Sequence, residues 1–138
     1  MARLCGAKKP TSGHPDDLPH HKGLDYGHRG WIKDWKFVGK DGEFSSQAEI
    51  LIKSNNGDIL KAAAVAGAGL VTMPTFITWD EVATGKMVPL LTNYHLEEMA
   101  LYAVYPPTHN LSAKVRVFID YLVDTFGPEP YWDKPFIK

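Results

Sequence analysis

The sequence predicts an α/β fold, because segments typical of strands alternate with segments typical of helices along the chain. The clearest example is Ser54 to Pro74, which contains a strand end, a polar turn, an alanine-rich helix, a glycine stop and a short apolar strand. The chain has 138 residues, of which 44% are hydrophobic. This composition is sufficient for the core of one compact domain or of a fragment of a larger one.

The charge and composition exclude several classes of protein. Lys and Arg number 15, Asp and Glu number 16, and the net charge is -1, so nothing favours general binding to nucleic acid or to anionic membrane. The longest apolar run, residues 62–74, is broken by Gly67, Gly69 and Thr72 and is shorter than the ~20 residues that span a bilayer. With no signal peptide expected and Cys5 as the one cysteine, we expect a cytoplasmic protein without an internal disulfide.

The first third of the chain predicts short strands after a polar N-terminal segment. Residues 1–22 are rich in Gly, Pro and His, with one helical turn at 15–18, where proline precedes two acids. Strands are expected at 23–26, 35–38 and 43–47, and the turn at Lys40–Gly42 joins the last two into a small antiparallel hairpin. The apolar residues Ile50, Leu51 and Ile52 predict a buried strand over 49–54.

The middle of the chain predicts a helix, a strand and a second helix. The first helix covers about residues 57–66 and ends at Gly67 and Gly69; its predicted buried face consists of Ile59, Ala62, Ala63 and Ala66. A short strand at 70–73 follows. Thr78 and Glu81 fit a capping box, so the second helix is expected to begin at Thr78 and to end near Gly85.

The last third predicts two extended segments and a long helix. Residues 87–91 are expected to be extended, and 101–105 to form a strand that two prolines terminate. Ser112 is the expected cap of the final helix, whose apolar stripe consists of Val115, Phe118, Ile119, Leu122 and Phe126. Gly127 ends this helix, and the tail to Lys138 is predicted to be irregular.

The residues that could carry catalysis or bind a metal have simpler explanations. His14, His20 and His21 lack further ligands at metal-binding spacing, so surface histidines are the better interpretation. Cys5 lies in a segment that we predict to be loose, with no base to activate it. The glycines at 67 and 69 follow a helix, whereas a phosphate-binding loop precedes one. We therefore predict no catalytic residue, metal or cofactor.

Two polar segments remain as candidates for ligand binding. Asn56 lies where the first helix begins, and it is either a simple cap or part of a helix end that lines a ligand cleft. His28, Arg29 and Trp31 lie in a predicted loop, where Arg29 could hold a carboxylate in a bidentate pair. The alternative for this loop is an ordinary surface loop with Trp31 folded onto the sheet.

Several segments, taken in order, resemble the effector-binding region of LysR-type transcriptional regulators over roughly residues 1–126. The most recognisable stretch runs from Asn55-Asn56-Gly57-Asp58 through Gly67-Ala68-Gly69 to Met73-Pro74. The further matching segments are Ala2–Ala7, His14–His21, Trp35–Phe37 with Asp41-Gly42, Gly85–Leu91, Tyr102–Pro106 and Leu111–Leu122. No single motif decides the resemblance; the ordered set does.

The resemblance implies an incomplete type II periplasmic-binding-protein-like fold. Residues 1–100 would form the second regulatory subdomain, and 101–127 would be the crossover strand and C-terminal helix of the first subdomain. Residues 128–138 would be an irregular tail. The family's winged helix-turn-helix has no counterpart in this sequence, so the resemblance implies no direct DNA contact from this chain.

The resemblance also implies a function in effector sensing. A small molecule, such as a carboxylate or aromatic metabolite, would bind between the subdomains, and the chain would form a homo-oligomer. The implied ligand contacts are His28, Arg29, Trp31, Asn56, Met73 and Pro74, with Tyr102 and Val104 lining the hinge. The main alternative is a stand-alone small-molecule binding or interaction domain. An α/β enzyme is the third hypothesis, and the lack of a positioned acid–base or nucleophile pair counts against it.

Overall fold

The protein is a mixed α/β structure, as the sequence predicts. The computed structural model describes residues 2–7, 13–27, 34–96, 102–104, 112–127 and 129–137. Its strands are β1 Ala2–Gly6, β2 Lys22–Tyr26, β3 Trp35–Gly39, β4 Gly42–Ser46, β5 Glu49–Ser54, β6 Leu70–Pro74, β7 Val88–Leu90 and β8 His95–Leu96. Its α-helices are α1 Gly57–Val65, α2 Thr75–Ala83 and α3 Ala113–Phe126, and 3-10 helices cover Pro15–His20 and Tyr131–Phe136.

The strands form two sheets. The five-stranded sheet has the order β5-β2-β6-β1-β7, and the three-stranded sheet has the order β4-β3-β8. β2 runs parallel to both β5 and β6, whereas β1 is antiparallel to β6 and β7. The predicted hairpin is confirmed as β3 and β4, in which Gly39 pairs with Gly42.

The core lies on both faces of the five-stranded sheet, because successive residues of a strand point to opposite sides. Leu4 belongs to the cluster that faces the smaller sheet, and its neighbour Cys5 belongs to the cluster beneath the helices. β6 divides in the same way, with Leu70 on the first side and Val71 on the second. The structure is therefore layered, with helices on one face and the small sheet on the other.

The N-terminal segment is more ordered than the sequence predicts. Cys5 is fully buried in β1, which pairs on both sides inside the sheet, so the expectation of a loose segment is wrong. The order comes from pairing with β6 and β7, which are distant in sequence. β5 is also different from its prediction: it is an edge strand with Leu51 56% exposed, because only β2 pairs with it.

The predicted first helix is confirmed, but its buried face is not. α1 ends in a Schellman motif: Gly67 has φ +82°, its N–H donates to Ala64, and the N–H of Ala68 donates to Ala63. The buried residues are Leu60 and Ala64, one turn apart, whereas Ile59 is 55% exposed. Leu60 is the largest apolar side chain available at that spacing, and its burial against the sheet determines the rotation of the helix.

The second helix begins one turn earlier than predicted. α2 starts at Thr75 directly after Pro74, so Thr78 lies inside the helix and is completely buried rather than serving as its cap. The predicted capping box is therefore wrong. The predicted end of α2 is confirmed, since Gly85 has φ +74° just beyond Ala83.

The final helix is confirmed, whereas the tail and the last predicted strand are not. Ser112 caps α3 by accepting a hydrogen bond from the Val115 N–H. The tail forms the 3-10 helix Tyr131–Phe136 instead of an irregular segment, because Phe136 packs into the core beneath the helices. Residues 102–104 have no regular secondary structure, and the structure shows no strand pairing with them. Residues 101 and 105 lie outside the described residues.

Candidate functional site

The carboxyl ends of three parallel strands meet at one edge of the five-stranded sheet. Tyr26 at the end of β2 pairs with Ser54 at the end of β5, and Met73 near the end of β6 pairs with Arg3 of β1. We call this region the carboxyl edge and define it as Arg3, Tyr26, Ser54, Asn56, Met73 and Pro74. In open α/β sheets, ligands bind preferentially outside the carboxyl ends of the strands.

Asn56 occupies the carboxyl edge as the N-cap of α1. Its side-chain oxygen accepts hydrogen bonds from the N–H groups of Asp58 at 2.9 Å and Ile59 at 3.4 Å. Its own N–H donates to the Ser54 hydroxyl at 3.1 Å. The residue is exposed, so its side-chain NH₂ faces solvent while the oxygen holds the helix. Capping therefore uses the side-chain oxygen of Asn56 and not its NH₂ group.

Met73 and Pro74 bring the end of β6 against the start of α1. A Cβ added to Gly57 would lie 3.1 Å from Met73 Cε, so the glycine permits this close approach. Met73 is only 1% exposed, whereas Pro74 is half-buried. Met73 is therefore buried behind the carboxyl edge, and Pro74 is the part of this pair that reaches the surface.

Among the other predicted contacts, the structure places none of those that it describes at the carboxyl edge. His28, Arg29 and Trp31 lie outside the described residues, directly after Gly27 at the end of β2. Tyr102 and Val104 are 79% and 93% exposed. Their side chains are thus not packed against the described part of the carboxyl edge.

Arg3 is a member of the carboxyl edge that the sequence analysis missed. It is 9% exposed, its Nη1 donates to the Tyr94 carbonyl at 3.4 Å, and its Nε has no hydrogen-bond partner among the described residues. A guanidinium stays charged even when buried, and an incompletely paired one attracts an anion. Arg3 was missed because the N-terminal segment was not predicted to be a strand of the central sheet.

Thr75, the first residue of α2, forms a second unexpected contact beside Pro74. Thr75 is fully buried, and its hydroxyl donates a hydrogen bond to Oδ1 of Asp133, which is 8% exposed. A carboxylate at this position also complements the partial positive charge of the helix start. No local sequence signal indicated this contact, because the Pro-rich tail was predicted to be irregular.

The remaining titratable groups fit structural roles. Burial raises the pKa of the Cys5 thiol to about 12, and nearby Thr78 and Arg3 oppose this rise only in part, so the group is a poor nucleophile near neutral pH. Lys61 Nζ, on α1, lies 3.3 Å from Oε1 of Glu81 on α2. A hydrogen bond from Glu81, with a smaller contribution from Lys61, holds the pKa of Asp80 below its usual value. This network connects α1 and α2.

The described residues offer neither a metal site nor a membrane-spanning helix. No group of three or more His, Cys, Asp or Glu side chains could hold a metal ion within the described ranges. Among the helices that the structure describes, none combines the length and the apolar composition needed to cross a membrane.

The chain matches the model of the LysR substrate binding domain over residues 3–127. It is 30% identical over 97 residues to the HTH-type transcriptional regulator PtxR of Pseudomonas aeruginosa, covering 70% of this chain and 31% of that protein. It is 26% identical over 122 residues to the HTH-type transcriptional regulator CrgA of Neisseria meningitidis serogroup B, covering 88% of this chain and 40% of that protein. The chain thus spans well under half the length of these relatives.

Solved structures match the same architecture. The regulatory domain of CrgA from Neisseria meningitidis matches with a TM-score of 0.68 and 24% identity, over 91% of this chain and 64% of that chain. The regulatory domain of AphB from Vibrio vulnificus matches with a TM-score of 0.66 and 23% identity, over 89% of this chain and 63% of that chain. The fold is therefore the α/β fold of periplasmic-binding-protein-like regulatory domains. With the family model matching most of its length, the chain belongs to the LysR substrate-binding domain family of transcription regulators.

Proposed function

We propose that this chain senses a small-molecule effector for a LysR-type regulator and that the carboxyl edge is one wall of the ligand cleft. The single observation that carries the proposal is the convergence of three parallel strand ends with Asn56, Pro74 and the incompletely paired Arg3. This is the location where open α/β sheets bind ligands. Binding would bias the arrangement of the subdomains through contacts that differ between open and closed states.

The chemistry of the carboxyl edge favours an anionic ligand such as a carboxylate. Arg3 supplies a buried positive charge, and the exposed NH₂ of Asn56 supplies a donor at the start of a helix. Tyr26 and Pro74 add apolar surface that suits an aromatic or aliphatic group. His28, Arg29 and Trp31 remain proposed contacts, because they directly follow the end of β2.

The subdomain division predicted from the sequence stays a proposal. Residues 1–100 would form the second subdomain, and Tyr102, Val104 and α3 would belong to the first. Its support is the burial of the described part of 2–96 around one sheet, whereas no residue of α3 is buried. The tail at 129–137 would then lie between the two.

The alternative function is a stand-alone small-molecule binding or interaction domain. It would use the same carboxyl edge. Effector-dependent control of a linked DNA-binding region would favour the regulator function over the stand-alone one. We propose no enzyme activity and no direct DNA contact for this chain. The cytoplasmic location expected from the sequence belongs to the same proposal.

We predict that Asn56→Asp weakens the binding of carboxylate ligands without destabilising the fold. Aspartate caps a helix as well as asparagine does, so α1 should be retained, whereas the new charge repels an anion and removes the NH₂ donor. The measurement is a calorimetric titration with a panel of aromatic and aliphatic carboxylates, beside a thermal melt. The affinity of any carboxylate that binds the unaltered chain should fall at least about tenfold.

The matched control is Gln47→Glu, which makes the same amide-to-acid change before β5, at the opposite end of the parallel strands. It should leave the affinity unchanged. Equal affinities for the unaltered chain and Asn56→Asp would remove Asn56 from the site. If no carboxylate binds the unaltered chain, the anionic-ligand proposal fails.

We further propose that α3 mediates self-association of this chain. The helix has no buried residue, and Val117, Phe118 and Tyr121 are each at least 60% exposed on one side of it. Together with Ala113 and Lys114 they line a shallow, mostly apolar groove. Burial of such a surface favours association.

Phe118→Glu should weaken self-association at least about tenfold, because a buried unpaired charge costs more than ~1.4 kcal/mol. Sedimentation velocity over a range of concentrations measures the effect. The control is Val123→Glu, an equally exposed apolar position about 140° around the helix from Phe118. An unaltered chain that stays monomeric at high concentration would contradict the proposal.

A further inference from the structure

We propose that the C-terminal segment 129–137, here called the strap, couples the position of α3 to the start of α2. The family match ends at residue 127, so the strap lies outside the part of the chain that the family model covers. Any effect of the strap on subdomain arrangement rests on the function proposed above. The coupling between α3 and α2 does not depend on that function, and it can be measured without a ligand.

The strap is anchored in the folded body by two kinds of contact. Phe136 is 9% exposed and belongs to the core cluster that also contains Cys5, Leu24 and Met73. Oδ1 of Asp133 accepts the hydrogen bond from the Thr75 hydroxyl. These contacts hold the strap firmly, because a buried carboxylate that loses its hydrogen-bond donor pays a desolvation cost.

An aromatic chain connects the anchored strap to both helices. Tyr131 packs edge-to-face on Trp79 of α2, with ring centroids 5.4 Å apart. Trp132 lies 6.4 Å from Phe76 of α2 and 5.6 Å from Phe126 at the end of α3. Trp132 therefore sits between the two helices and contacts both.

This arrangement places a single continuous contact path between α3 and the carboxyl edge. The path runs from Phe126 through Trp132 and Asp133 to Thr75, which directly follows Pro74. In the described structure, the ring contacts of Trp132 with Phe126 and with Phe76 connect α3 to α2. A shift of α3 would pull on the strap and thereby on the start of α2.

Hydrogen exchange measured by mass spectrometry on the full chain tests this coupling. Phe126→Ala removes a ring contact from α3 and should raise exchange not only in α3 but also in peptides that cover α2, by roughly two- to tenfold. The control is Val123→Ala, which shortens an exposed apolar side chain of the same helix outside the groove and should leave exchange in α2 unchanged.

Coupling between two sites is reciprocal, so the converse substitution is a second test. Thr75→Val keeps the shape of the side chain and removes the hydroxyl that holds Asp133, and it should raise exchange in the last turn of α3. If Phe126→Ala does not fold, Phe126→Leu replaces it with the same expected direction. Faster exchange confined to α3 in the Phe126 variant, or confined to α2 in Thr75→Val, overturns the proposal.

The test also separates the strap from the proposed function. Coupling without carboxylate binding would support the strap and reject the ligand proposal. Carboxylate binding with no coupling in either variant would support the ligand proposal and reject the strap.

Discussion

Phe136→Ala should destabilise this protein by about 3 kcal/mol, although Phe136 lies at the very end of the chain. A Phe-to-Ala change in a core typically costs about 3–5 kcal/mol, from lost transfer free energy and from the cavity that remains. Phe136 belongs to the lower end of that range because it is 9% exposed rather than completely buried. The midpoint of thermal unfolding should fall by about 10 °C for a domain of this size.

The control is Ile137→Ala, the adjacent residue, which is 54% exposed. Its unfolding midpoint should stay within a degree or two of the unaltered chain, because exposed substitutions usually change stability by under about 0.5 kcal/mol. Chemical denaturation gives the same comparison in free energy. Equal stability of Phe136→Ala and the unaltered chain would show that the tail is not part of the core in solution.

The sequence predicted well those elements whose signals are local. The hairpin turn at Lys40–Gly42, the Ser112 cap and the glycine stop at Gly67 depend on the conformations of a few neighbouring residues. The alternation of strands and helices likewise required no knowledge of packing. These features explain why the α/β class and the family resemblance could be recognised before the structure was known.

The sequence predicted poorly those features that long-range contacts decide. Nothing in the Ala2–Gly6 segment indicates that β6 and β7 will pair on both of its sides. The rotation of α1 depends on which residue best fills the space above the sheet, and Leu60 fills it rather than Ile59. The apolar sequence of β5 resembles that of a buried strand, but its position at the edge leaves Leu51 exposed.

The candidate site divides along the same line. Asn56 was predicted because a helix cap is visible in sequence, whereas Pro74 was named through the family resemblance. Arg3 lies about 70 positions from Met73, its partner in the sheet, and Asp133 lies 58 positions from Thr75. Only the register of the sheet and the docking of the tail bring these partners together.

The second large effect concerns Gly69, which the sequence analysis assigned to stopping the first helix. The structure separates the two glycines: Gly67 has the positive φ that ends α1, whereas Gly69 lies where the chain crosses β2 at close range. A Cβ at position 69 would lie 2.8 Å from the Lys22 carbonyl oxygen and 3.0 Å from its carbon. Both atoms belong to the backbone of β2, which pairs with β6 directly after this contact.

Gly69→Ala should therefore destabilise the protein by about 2 kcal/mol, because the clash must move a central strand rather than a flexible side chain. Gly13→Ala is the control and should be nearly neutral, since no atom of the described residues lies within 4 Å of the added methyl group. Urea unfolding of both variants measures the difference. The loss should also appear as faster hydrogen exchange in β2 and β6, the two strands that carry Tyr26 and Met73 to the carboxyl edge. If Gly69→Ala were as stable as Gly13→Ala, the chain crossing would have to be looser than the structure shows, and the carboxyl edge would lose the rigid register on which the proposed cleft wall depends.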